Sequence, residues 1–292
     1  MKFLKSIIGL VEKTSFEEKD NPNYSTKANN SKPLLTSINN GMLTIVLNRP
    51  EKLNAIDLDM VELLRNELQN AASNSDIRAI IITGAGKGFC SGGDLKFALE
   101  ANPNQPGDSF LALTTVLHDC ISLIRNMPKP VVAAINGVAA GAGLFLALAC
   151  DMRMMAKSAY LKQSNTSYGL SLPAGGTFTL PRLIGFGRAL EVVMLDRIIP
   201  AQEAKLLGLV SVLVKEKNLI KETVNVTYEL SQRPVNTFGR VKKLMNESFY
   251  RNLNEQLTAE QTEIVNSAND LEGREGLEAF TQKRQPKYHS IN

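Results

Sequence analysis

The chain has 292 residues, 43% of them hydrophobic and 21% charged, with a formal net charge of +4. That length allows one large unit or one unit with a helical appendage, and the apolar runs at 131–135 and 144–150 are far shorter than the ~20 residues that cross a bilayer. The mild, scattered positive charge suits a polyanionic small ligand; with 6% aromatic residues and no Trp, the chain is a poor candidate for nucleic acid.

Residues 1–33 read as an N-terminal extension. Phe3, Leu4, Ile7, Ile8 and Val11 approach helical spacing, and a polar stretch follows. The apolar part is short and no small-residue cleavage site follows, so a secretory signal is not expected. No Arg occurs there and acidic residues do, which argues against a mitochondrial presequence. A poorly ordered tail or surface helix is the expectation, with docking to a partner or membrane as the alternative.

Leu34–Ile38 and Met42–Asn48 are β-rich runs joined at Asn39-Asn40-Gly41, a hairpin signal. Asp59 with Glu62 resembles a capping box, ahead of a helical face of Val61, Leu64, Leu68 and Ala71. Ala79–Thr83 is a short strand that ends in glycine-rich sequence. A helix is predicted from Asp108 to about Asn126, with Phe110, Leu113, Leu117, Ile121 and Ile124 on its apolar side. Val131–Asn136 is the next strand, and 137–143 forms a second glycine-rich turn that opens an apolar helix through Ala149. Met152–Met155 and Tyr160–Gln163 follow as strands, and from Gly176 onward the pattern is mostly helical. Strand–helix alternation ahead of a helical tail defines an α/β chain. Three separated cysteines and two distant histidines build neither a disulfide framework nor a metal site, and a reducing cytoplasm is expected.

Two strands each run into a glycine-rich turn and then a helix, at 89–95 (FCSGGDL) and 136–143 (NGVAAGAG). Helix starts leave N–H groups unpaired, and glycine lets a ligand approach them. Two such starts facing one another would hold a developing negative oxygen; the alternative is that both are simply tight turns with helix caps. Nucleotide motifs do not fit, because 84–89 (GAGKGF) lacks the third dinucleotide glycine and Gly86-Lys87 is followed by Gly88, not Ser or Thr.

Several segments resemble the enoyl-CoA hydratase/isomerase (crotonase) family, in order and at family spacing over roughly 34–288. They are 48–55 (NRPEKLNA), 83–95 (TGAGKGFCSGGDL), 128–151 (PKPVVAAINGVAAGAGLFLALACD), 201–210 (AQEAKLLGLV) and 274–284 (REGLEAFTQKR). The similarity is greatest to the isomerase branch typified by phenylacetate-pathway enzymes. It implies a ClpP/crotonase-like ββα superhelix as the core, 34–232, and a C-terminal helical region, 233–292, that supports a homotrimer or a dimer of trimers. It also implies an acyl-CoA substrate, with coenzyme A carried in on the substrate and no separate cofactor. Carried over by position, the oxyanion donors fall on the amides of Gly93 and Ala142, the latter where the family usually has glycine. Lys52, Leu53, Ala55, Ser91, Asp94, Leu95 and Lys96 fall near CoA or the substrate; for Asp94 a helix-capping role is the simpler alternative.

The family's two hydratase glutamates correspond to Phe145 and Asn165, and the aspartate of isomerases and aryl-CoA dehalogenases corresponds to Pro173. None of these is a carboxylate, so all three customary carboxylate positions are empty. These three and Tyr168 are expected around the acyl pocket, with Ser164, Ser167 and Ser171 in its roof. His118 aligns with the catalytic histidine of the dehalogenases and is a candidate acid/base, or simply completes helix packing. Cys90 is a further candidate nucleophile, though a buried thiol is the commoner outcome. Three functions follow: an enoyl-CoA hydratase/isomerase-like enzyme with substituted acid/base groups, an acyl-CoA thioester hydrolase using His118, or a non-catalytic acyl-CoA binding protein.

Overall fold

A computed structural model describes residues 32–290; the expectations for the N-terminal extension lie almost entirely outside the described residues. Strands β1 (Leu34–Asn39) and β2 (Met42–Leu47) pair antiparallel in the register Leu34 to Leu47 through Asn39 to Met42. Asn40 (φ 49°) and Gly41 (φ 73°) both take positive φ, the backbone a two-residue hairpin turn needs. Helix α1 (Leu58–Ser73) buries Met60, Val61, Leu64, Leu68 and Ala71. Its cap is Asp57, which accepts from the Met60 amide at 3.0 Å, so Asp59 lies within the first turn and is not the cap.

The next strands alternate between two sheets. β3 (Ala79–Gly84), β5 (Val131–Ile135), β7 (Met152–Ala156) and β10 (Val212–Val214) join the hairpin in a six-stranded sheet of order β1-β2-β3-β5-β7-β10. All pairings in it but β1–β2 are parallel. β4 (Gly88–Cys90), β6 (Val138–Ala140), β8 (Tyr160–Lys162) and β9 (Ile199–Pro200) form a second sheet in that order. Each turn of chain therefore spends one strand in each sheet and then a helix, which is the ββα superhelix. α2 (Leu95–Ala101) and α3 (Pro106–Asn126) complete the first such turn, and α4 (Ala142–Ala149) completes the second. Every residue of α4 is buried, as expected of a helix apolar on all sides.

α3 has the length and hydropathy of a membrane span, but Leu113, Leu117, Cys120, Ile121 and Ile124 are buried in the protein core. It begins at Pro106 rather than Asp108, because proline is favoured in a first helical turn where an N–H has no partner. The turn at 137–143 contains the short strand β6. The region after Gly176 is less uniformly helical than its pattern predicts: β9 and β10 interrupt it, and two or three residues are too few to display alternation.

The remaining helices are α5 (Gly176–Ile184), α6 (Phe186–Leu195), α7 (Ala201–Leu206), α8 (Leu219–Ser231), α9 (Val235–Glu247), α10 (Leu253–Asn269) and α11 (Leu271–Thr281). Polar contacts fasten α9 to the core. Arg125 and Asn246 exchange hydrogen bonds of 2.6 and 3.0 Å, and Lys242 reaches both the Ile124 carbonyl and Asp151.

Candidate active site

The two glycine-rich turns meet. β4 leads to Gly92, whose φ of 113° belongs to glycine. The Ile56 amide donates to the Gly92 carbonyl at 2.7 Å, and the Asp94 amide donates to the Ile56 carbonyl at 2.8 Å. This bridge turns the intervening Gly93 amide away from Ile56. On the other side, β6 ends at Gly141, and α4 starts at Ala142. A Cβ placed on Gly92 would lie 3.2 Å from the Ala140 carbonyl oxygen and 3.6 Å from the Ala142 nitrogen. At Gly143 it would lie 2.4 Å from the Cys90 carbonyl oxygen, so glycine there lets α4 pack directly on β4. Neither the Gly93 nor the Ala142 amide is a donor in any turn, loop or cap hydrogen bond among the described residues.

Gly93 and Ala142 both line a cavity of about 490 Å3. One wall is α3, through Phe110, Leu113, Thr114, Leu117 and His118; the roof is the 164–173 loop, with Tyr168, Leu170 and Leu172. The structure thus brings together Gly93, Ala142, Ser91, Leu95, His118, Asn165, Tyr168 and Pro173 around one space, with Ser164 and Ser171. The α3 leucines were legible only as an apolar stripe; no sequence signal separates a stripe that fills a core from one that lines a cavity.

The other expected residues lie beside the cavity. Asp94 caps α2, accepting from the Phe97 amide at 3.2 Å, and also pairs with Arg49 and Lys52, each at 2.9 Å. Burial by itself would raise the Asp94 carboxyl, but the hydrogen bonds from Lys52, Arg49 and Phe97 outweigh it and hold it below the ordinary carboxylate range. Lys52, half exposed, and Leu53 stand next to Ser91, whose hydroxyl donates to the Lys52 carbonyl at 3.2 Å. The Ala55 carbonyl accepts from Arg49, and Lys96 points to solvent beside Glu100. Phe145 is 1% exposed and packs beneath Gly176, off the cavity surface.

His118 Nε2 accepts the Ala174 amide hydrogen at 3.1 Å, tying α3 to the end of the roof loop. An accepting nitrogen carries no proton, so the ring's hydrogen is on Nδ1 in this arrangement. Asn165 donates to the Ser171 carbonyl at 3.3 Å, and its buried Oδ1 has no hydrogen-bond partner. Asp196, unnoticed in the sequence, anchors the same loop: it accepts from the Ser164 amide at 2.7 Å and from the Ser167 hydroxyl, with Lys162 at 3.7 Å. Cys90 is fully buried, and desolvation pushes its thiol up to about 12, which fits the buried thiol the sequence favoured over a nucleophile. Among the described residues no cluster of His, Cys, Asp or Glu could hold a metal ion.

Alternating strands in two sheets, with a cavity at the meeting of two glycine turns, define a crotonase-fold protein. The chain belongs to the enoyl-CoA hydratase/isomerase family, whose model matches residues 37–291. It is 32% identical over 256 residues to the 1,2-epoxyphenylacetyl-CoA isomerase of Escherichia coli K12, covering 87% of this chain and 97% of that one. Among solved structures, an enoyl-CoA hydratase from Polaromonas sp. JS666 superposes with a TM-score of 0.82 at 34% identity, covering 87% of this chain and 98% of its own. One from Bacillus anthracis gives 0.82 at 33% identity, with 88% and 99% covered.

Proposed function

We propose that the protein is an acyl-CoA thioester enzyme of the hydratase/isomerase type, in which the Gly93 and Ala142 amides polarise the thioester carbonyl. The observation that supports this is the contact of two turns whose residues Gly93 and Ala142 line one cavity and whose amides donate in no turn, loop or cap hydrogen bond. Donors fixed in place before reaction stabilise an enolate oxygen without reorganising, and so acidify the α-carbon. An N–H donor needs no particular side chain, so alanine at 142 serves as glycine would.

Proton movement is where this chain departs from its relatives' usual chemistry. No carboxylate lines the cavity. His118 cannot accept a proton at Nε2 without releasing the Ala174 amide, so we assign it to positioning the roof. The α-proton then moves through an ordered water or the substrate itself, with the Ser164, Asn165 and Ser171 group available to orient water. We assign Lys52, half exposed and beside Ser91, to a CoA phosphate. The C-terminal helices are assigned to a homotrimer or dimer of trimers.

The same absence of carboxylates favours a second function, a non-catalytic acyl-CoA binding protein. Incubating the protein with a panel of 2-enoyl- and 3-enoyl-CoA esters while following conjugated-thioester absorbance separates them. Change in the double bond with at least one ester is expected. Saturable binding with no chemistry across the panel selects the binding protein, and thiol release selects a hydrolase.

A further inference from the structure

We infer that the cavity takes uncharged, apolar acyl groups of medium length and rejects acyl groups with a distal carboxylate. This rests on the function proposed above and adds the class of substrate. The cavity of about 490 Å3 has no Lys, Arg, Asp or Glu on its walls; beyond the two turns its surface is mainly Leu95, Phe110, Leu113, Leu117, Leu170 and Leu172. The polar side chains present are uncharged hydroxyl and amide groups at Ser91, at Thr114 on α3 and in the roof at Ser164, Asn165, Tyr168 and Ser171, with the His118 imidazole accepting from the Ala174 amide.

The charged groups near this end of the molecule are turned elsewhere. Arg49 and Lys52 are paired with Asp94, Lys162 with Asp196, and Lys96 with Glu100. A carboxylate carried into the leucine-lined end would lose its water and meet no cation. A methylene carried there gains instead, by about fourfold in affinity at full burial. The lining continues the apolar surface outward, since Leu111 on α3 and Tyr168 in the roof loop are 68% and 65% exposed. A chain longer than the cavity therefore still finds apolar contact at the mouth, and a four-carbon acyl group leaves much of the space unused.

The test is calorimetric titration of the full chain with CoA, butyryl-CoA, hexanoyl-CoA, octanoyl-CoA and adipoyl-CoA. Affinity should rise about two- to fourfold per methylene from butyryl to octanoyl, and adipoyl-CoA should bind at least tenfold more weakly than hexanoyl-CoA. In the rim variant Leu111→Arg, the adipoyl to hexanoyl ratio should rise at least fivefold, because a cation then faces the opening. Equal affinity for adipoyl- and hexanoyl-CoA, or affinity independent of chain length, overturns the inference while leaving thioester binding intact. Failure of CoA and every ester to bind overturns both it and the function on which it rests.

Discussion

His118 illustrates how a single hydrogen bond reassigns a residue. Position alone made it a candidate acid/base; the Ala174 amide at its Nε2 supports its proposed role as a strut between α3 and the roof loop. Glutamine offers a carbonyl oxygen of similar reach but has no titratable proton. His118→Gln is therefore expected to stay within about threefold of the parent in kcat, whereas His118→Ala should raise KM for an acyl-CoA about tenfold by loosening the roof. A loss of a hundredfold or more in kcat for His118→Gln would return the imidazole to the chemistry. Asp94 gives a prediction in pH. Its carboxyl is held low by Lys52 and Arg49 despite burial, so the folded state binds its proton less readily than the unfolded chain. Its contribution is present above the unfolded carboxylate range near ~4 and is lost as pH falls through the lower folded value. Asp94→Asn should cost about 1–3 kcal/mol at pH 7, and thermal melts should show that difference shrinking below pH ~4. A difference that grows in acid would contradict the pairing.

At the scale of elements, the 48–56 segment is a frame for the first glycine turn. Asn54 is fully buried at φ 57°, accepts from the Arg49 amide at 2.9 Å, and donates to the Ala85 and Gly88 carbonyls at 2.9 and 2.8 Å. The Leu53 and Ile56 backbones then bond Ser91, Gly92 and Asp94. Asn54→Ala removes three bonds and places a Cβ residue without local polar support in left-handed backbone. Chemical denaturation should show a loss of about 2–4 kcal/mol, and a loss below ~1 kcal/mol would mean the frame is not held there. These elements were legible to different degrees. The β1–β2 hairpin could be read because Asn-Gly prescribes its turn, and α1 because its apolar stripe is long. β4, β6, β9 and β10 were not read as strands, since two or three residues carry no period and their pairing partners lie far away in sequence. The convergence of the two glycine turns is a tertiary fact; only resemblance to a family pointed to it. The Asp196 anchor left no trace in the pattern, because an aspartate after a helix is ordinarily just a polar cap.

Over the whole molecule, one α/β core presents the cavity, and the C-terminal helices are tied to that core through Arg125, Lys242 and Asn246. That region leaves the large apolar side chains of Leu253, Leu257, Ile264 and Phe280 between 52% and 82% exposed. Self-association into a closed ring is the expected outcome. Sedimentation should give about three or six times the chain mass of 32.0 kDa, and Ile264→Glu with Phe280→Glu should shift it toward one. A parent protein that sediments as a single chain at micromolar concentration would contradict that assignment. The active-site account rests more narrowly, on the amide at 142. Proline is tolerated at the first position of a helix and has no N–H, so Ala142→Pro deletes one donor and leaves the turn in place. With circular dichroism and melting temperature close to the parent, its turnover of the best enoyl-CoA ester is predicted to fall about 10²–10³-fold; a folded Ala142→Pro protein that turns over within threefold of the parent would contradict the two-donor site.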